Sequence, residues 1–176
     1  MLLLQESGIL RVMRVLTEVP VPLSVRDLTH ADLPRCDWAG VPPHLDYVAT
    51  ALDRARAGEV DYLAVCGPAD LPVGIGGVDY TVRPVAGTLW QLVVHPALRS
   101  CGIGTLLIGA AEQRIRTRGL HRAELAVEQS NPRARALYQR LGYVARGTAL
   151  HSWNIANPDG SLARYQTRCI QMSKDL

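Results

Sequence analysis

Arg99-Ser100-Cys101-Gly102-Ile103-Gly104-Thr105 stands directly after an apolar run, Leu89-Trp90-Gln91-Leu92-Val93-Val94, that stops at His95-Pro96. One arginine and two closely spaced glycines are residue types that can hold an anion. Glycine matters here because a side chain would keep the ligand away from the backbone. Beyond the loop Ile103, Leu106, Leu107, Ala110, Ala111 and Ile115 recur at helical spacing up to Arg118-Gly119. The stretch therefore reads as strand, glycine loop, helix. Several backbone N–H groups and the positive end of a helix dipole then converge on one point, which suits a phosphate. A P-loop needs a lysine after its last glycine, and Gly104 has none. A dinucleotide fingerprint needs glycine or alanine where Leu107 stands. What remains is Arg-x-x-Gly-x-Gly.

Other reactive types are weaker by themselves. Cys101 at a helix N-terminus would have a stabilised thiolate, but no partner histidine can be assigned, so it reads as a loop residue. His95 before Pro96 suits a strand end. Tyr138 shares an apolar stripe with Ala134, Leu137 and Leu141, and on that pattern alone it belongs to a core. Gly74-Ile75-Gly76-Gly77 is followed by strand-like residues and reads as a bulge or a close backbone approach rather than a nucleotide loop.

The elements that must position these residues follow from periodicity and punctuation. Leu23 to Leu28 reads as a strand, and Thr29 or His30 opens a short helix with Pro34 in its first turn. After Pro42-Pro43, a helix runs from His44 to Ala57 on Leu45, Val48, Ala49, Leu52 and Ala55, ending at Gly58. Tyr62 to Cys66 and Leu71 to Val82 form a hairpin. Helix 102–118 leads to a strand over Glu124 to Glu128, then Asn131 as N-cap and Pro132 in the first helical turn. A strand starts at Tyr143, Asn157-Pro158-Asp159-Gly160 is a turn, and Ala163 to Met172 returns. Only the middle of the chain repeats strand and helix, so the sheet is expected to be mixed. Residues 1–20 read as an N-terminal extension and 21–176 as a single domain.

Composition narrows the function. A chain of 176 residues suits one domain with a real core. A formal net charge of +3 helps attract an anion but is too small and scattered to argue for nucleic acid. Phenylalanine is absent, so no base-stacking platform is expected. Four well-separated cysteines without a C-x-x-C pair make reduced thiols the expectation, with neither a metal site nor a disulfide framework. Met1-Leu2-Leu3-Leu4 is cut off by Gln5-Glu6-Ser7 and reads as neither signal peptide nor membrane span, so a cytoplasmic location is expected.

Arg99 to Gly104, followed by Asn131-Pro132-Arg133-Ala134-Arg135-Ala136-Leu137-Tyr138-Gln139-Arg140-Leu141-Gly142-Tyr143, resembles the acetyl-CoA-binding motif pair of the GNAT N-acetyltransferases. Both segments stand in the right order and spacing over Leu89 to Tyr143. The resemblance implies an α/β (α+β) fold with a mixed, mostly antiparallel sheet, splayed between the fourth and fifth strands and flanked by helices. It implies acetyl-CoA as co-substrate, lying in that gap, and no metal. Backbone groups of Leu92, Val93 and Val94 would pair with the pantetheine arm. The pyrophosphate would rest on N–H groups of Arg99, Ser100, Cys101, Gly102, Ile103, Gly104 and Thr105, with the Arg99 side chain facing phosphate. Asn131 would bond the pantetheine arm or only cap its helix.

The implied reaction is direct acetyl transfer to a primary amine of a small molecule or of a protein or peptide. The partners would be acetyl-CoA and this acceptor, with neither nucleic acid nor membrane. Tyr138 matches the tyrosine that the family uses to protonate the departing thiolate, which favours thiolate contact over core packing. An N–H near Leu92 or Val93 would receive the oxyanion. Gln91 stands where family members often carry an acidic residue, and Ala126 where some protein N-terminal acetyltransferases carry glutamate. Glu124 and Glu128 share a strand face with Ala126. Glu128 lies nearer the expected mouth and is the first candidate base, with Asp79 a further one and a water relay an alternative. A different acyl donor, or a CoA-binding regulatory or interaction module without catalysis, are the competing readings. Pairing of two copies through the C-terminal strands or the N-terminal extension is left open, as no motif argues for it.

Overall fold

The computed structural model describes residues 20–40, 42–156 and 161–176. The predicted N-terminal extension, up to residue 19, and the Asn157–Gly160 turn lie outside the described residues. Among the described residues seven strands form one sheet: β1 (Ser24–Asp27), β2 (Val60–Gly67), β3 (Leu71–Asp79), β4 (Gly87–Val94), β5 (Arg122–Glu128), β6 (Val144–Ala156) and β7 (Leu162–Asp175). Their order across the sheet is β1-β2-β3-β4-β5-β7-β6. Neighbours are antiparallel except β4 and β5, which are parallel.

The parallel pair is short. Gly87, Thr88 and Leu89 lie opposite Ala123, Glu124 and Leu125, and the ladder then stops. The sheet splays there, as the resemblance implied. On its other side β4 carries a bulge: Ile75 pairs with Val93 and Gly77 with Trp90, leaving Gln91 and Leu92 opposite Gly76. Gln91 takes a left-handed backbone, φ +51°, which costs a non-glycine residue about 1–3 kcal/mol. A bulge bends its strand and increases twist, so β4 turns away from β5 just past their last pair.

Helices α1 (Pro42–Arg56), α2 (Ile103–Thr117) and α3 (Pro132–Arg140) cover the sheet. Two apolar clusters result. One joins Leu63, Val65, Val78, Leu89, Leu125, Val127 and Met172 to Ile103, Leu107, Ile108, Ala111 and Ile115 of α2 and Tyr138 of α3. The other, on the opposite face, joins Tyr62, Ala64, Cys66 and Ile75 to Val48, Ala51 and Leu52 of α1. The alternation of β-strand side chains sends successive residues to these two clusters.

Three expectations need correction. The strand after the hairpin turn ends at Asp79, three residues before Val82, because the Asp79 carboxylate accepts from the Thr81 N–H (2.8 Å) and hydroxyl (2.7 Å) and turns the chain. Leu106, placed on the apolar stripe of α2, is exposed, whereas Ile108, outside that predicted stripe, is buried beside Leu107. The short helix after β1 is a 3₁₀ segment, His30–Arg35, with Pro34 inside it. The glycines of β3 are spaces for neighbours, as expected. A side chain at Gly74 would meet Ile103 at 2.8 Å, and one at Gly76 would collide with Leu92.

Candidate active site

The loop between β4 and α2 is built to end a strand and start a helix without a side-chain cap. His95 accepts the Ala97 N–H at Nδ1 (3.3 Å) and meets the Trp38 ring in a tilted contact, centroids 5.3 Å apart, which anchors the strand end. Ser100 (φ +70°) and Gly102 (φ +83°) then turn the chain through left-handed conformations into α2. Gly102 is the N-cap and offers no side chain to the first-turn N–H groups. Those donors remain for a ligand. Gly104 contributes in another way. A Cβ there would stand 3.2 Å from Leu137, so its absence lets α2 and α3 approach.

Opposite the loop, Asn131 caps α3 by accepting the Ala134 N–H at 3.1 Å. Between them lies a cleft of about 620 Å³ at the splay. Leu92, Val93, Val94, Arg99, Ser100, Gly102, Gly104, Thr105 and Asn131 line it. So do Leu98, Arg133, Ala134, Ala136, Leu137 and Arg140, to which the sequence motifs assign no place in the site. Arg133 donates to the Ser100 hydroxyl at 2.7 Å and braces the loop. Arg133 and Arg140 are two helical turns apart and share a face of α3. That periodicity is visible in the sequence. Arg99, Arg133 and Arg140 bring three guanidinium groups to a cleft that no described carboxylate lines.

Other predicted residues sit elsewhere. Cys101 is exposed, its thiol 3.9 Å from the Arg99 carbonyl, and Ile103 buries its side chain in the core beneath α2. Neither Cys101 nor Ile103 lines the cleft. Tyr138 is 9% exposed, in edge contact with Tyr143 at 6.0 Å, and burial pushes its phenol pKa up. It does not line the cleft.

The candidate bases differ in what holds them. Gln91 accepts from the Tyr62 hydroxyl at 3.0 Å, which fixes the direction of its amide. Burial raises the Asp79 carboxyl, but Arg54 and Thr81 offset that and leave it below its ordinary value. Arg54 grips it at 2.8 Å, so it is committed to an ion pair. Glu124 pairs with Arg83 at 3.6 Å. Glu128, half-buried at the end of β5, accepts from the Tyr165 hydroxyl (3.0 Å) and the Ser130 hydroxyl (3.4 Å), both at Oε2. Among these carboxylates Glu128 alone is tied to no cation.

The fold is shared with solved N-acetyltransferases. The ribosomal-protein-S18-alanine N-acetyltransferase from Escherichia coli superposes with a TM-score of 0.66 at 19% identity, over 88% of this chain and 94% of that one. The PaiA N-acetyltransferase from Thermoplasma acidophilum, solved in complex with coenzyme A, gives a TM-score of 0.64 at 13% identity, over 88% and 99%. Residues 27–143 match the model of the Acetyltransferase (GNAT) family, and the chain belongs to that family. A mycothiol acetyltransferase from Beutenbergia cavernae is 42% identical over 57 residues, which is 32% of this chain. The match spans only 19% of that relative's own length. Among the described residues no helix is long and apolar enough to cross a membrane.

Proposed function

We propose that the protein is an acetyl-CoA-dependent N-acetyltransferase acting on a primary amine of a small molecule or of a protein or peptide. The observation that carries this reading is the cleft itself: uncapped α2 N–H groups and three arginines, with no described carboxylate, at the point where β4 leaves β5. These features fit the diphosphate of CoA, and the free edge of β4 at Leu92, Val93 and Val94 fits an extended amide-bearing arm. Acetyl-CoA supplies an activated thioester. Glu128 takes the proton of the incoming ammonium, directly or through water, so that a neutral nitrogen attacks. A backbone N–H beside the Gln91 bulge faces the oxygen on which charge develops. The new C–N bond forms as the C–S bond breaks; Tyr138, next along α3 to the lining residue Leu137, gives its phenolic proton to the sulfur, and the second proton leaving the nitrogen restores the phenol through water. Its phenol is protonated at neutral pH, as a donor must be, and burial makes it a weaker acid than a free phenol.

A cytoplasmic location accompanies this reading, since Cys36, Cys66, Cys101 and Cys169 are all free thiols. Gln91 and Ala126, which supply no carboxylate, motivate the rival reading of a non-catalytic CoA-binding module. Free-thiol release from acetyl-CoA in the presence of an amine panel separates the two. Acceptor-dependent release supports the enzyme, and tight CoA binding without turnover supports the module.

A further inference from the structure

The sheet face opposite α2 and α3 is polarised along β5 and β7. Glu124, Ala126 and Glu128 point to this face, beside Ser173, Gln171 and Cys169 of β7. At the splay end stand the Glu128 carboxylate and two aromatic rings. Tyr165 bonds Glu128, and Trp153 lies 5.1 Å from the Tyr165 ring. Both rings are part-exposed, 40% for Trp153 and 36% for Tyr165. In the middle, Gln171 and His151 are joined at 2.7 Å. At the far end is a separate cavity of about 390 Å³, lined by Arg83, Arg122, Arg146, Glu124, Gln171 and Ser173 among others.

Two of those arginines are already paired. Arg83 holds Glu124, and Arg122 holds Asp175 at 3.0 Å. Arg146 is different. It occupies the one irregular position of the β6–β7 ladder, between Ala145 and Gly147. There its Nε donates to the buried Ser173 hydroxyl at 2.9 Å, and no described carboxylate pairs with it. A bulge that re-aims a guanidinium, a hydroxyl that holds its Nε, and a cavity that Arg146 lines, where no carboxylate among the described residues pairs with Nη1 or Nη2, together make a fork for an oxyanion. From Glu128 to Glu124, the strand neighbour of Ser173, is four residues, about 13 Å.

We propose that the acceptor lies along this face with its ammonium at Glu128, Tyr165 and Trp153 and an anionic group, carboxylate or phosphate, on Arg146. The carboxylate and the rings suit a cation at one end only, and the face turns basic within the length of a short peptide. An extended polycation is therefore disfavoured. This inference rests on the acetyltransferase reading for which molecule binds, but its test does not need turnover.

Equilibrium binding to the CoA-saturated protein is measured by calorimetry for triglycine, an aminoalkyl phosphate of matched length and a diamine of matched length. At least one of the two zwitterions binds about tenfold or more tighter than the diamine, as loss of a charge-assisted bidentate contact requires. The tighter one identifies the anionic group. Arg146→Gln lowers that affinity about tenfold while the affinities for CoA and for the diamine stay within about twofold, and Arg146→Lys retains part of the preference. A diamine that binds as well as both zwitterions, no binding by either zwitterion, or an Arg146→Gln variant with undiminished preference overturns the assignment. Acetylation of the bound zwitterion is scored separately. Its absence with binding intact sinks the transfer reading and leaves the assignment of the face standing.

Discussion

The two sides of the splay are made differently. The proposed donor side is mostly backbone and local geometry, with two left-handed residues, an uncapped helix N-terminus and an asparagine cap within Val94 to Ala134, to which Arg99, Arg133 and Arg140 add charge. The proposed acceptor side consists of side chains delivered by register. Tyr165 reaches Glu128 from 37 residues away and Arg146 reaches Ser173 from 27. A site of the first kind tolerates drift in its surroundings. One of the second kind changes whenever a strand slips or a side chain is exchanged.

Gly104→Glu strikes the backbone-built side hardest. It puts bulk against Leu137 and a negative charge in the cleft, so CoA affinity falls by about two orders of magnitude or more, read by calorimetry. Unchanged affinity would move the donor to another place. Next is Tyr138→Phe, which removes one hydroxyl from a ring that otherwise packs as before. Turnover falls about ten- to a hundredfold, while the dissociation constant for CoA stays within about twofold. An unaffected rate returns Tyr138 to the core alone.

Smaller effects test the frame on which both sides rest. The Asp32 carboxyl is held well below the ordinary range, first by its hydrogen bonds with Arg26 and also by those from Thr29. Its folded pKa lies below its unfolded one. The stability it contributes is therefore complete above about pH 5 and is lost as pH falls through the acid range. The urea midpoint of the wild type should drop more between pH 6 and about pH 3 than that of Asp32→Asn. An equal drop in both would remove Asp32 from the acid transition. Smallest is Asn131→Ala, which deletes the α3 cap and costs about 1 kcal/mol by chemical denaturation. A CoA affinity that also falls more than about threefold would add ligand contact to the capping role.

The donor side is legible in the sequence because its signals are local. Gly102 and Gly104 mark a turn and a close approach, and Asn131-Pro132 marks a helix start, all within one or two turns of chain. Arg133 and Arg140 have a visible spacing but no distinguishing signal, because basic residues on a helix face are normally solvated. The β4 bulge leaves no composition signal: Gln91 is an ordinary strand residue that takes φ +51° for tertiary reasons. The early end of β3 comes from the Asp79–Thr81 turn, a side-chain contact that a run of strand-forming residues hides. Arg146, Trp153 and Tyr165 have no place that the sequence could supply, since their neighbours are set by the β6–β7 register.

Backbone amide chemical shifts of the isotopically labelled protein, followed through a titration with CoA, locate the donor residue by residue. The largest changes should fall on Leu92–Val94, Arg99–Thr105 and the start of α3 at Asn131, with the β5–β7 face around Gln171 and Ser173 nearly silent. Changes centred on that face, with the β4–α2 loop unmoved, would refute a donor site at the splay.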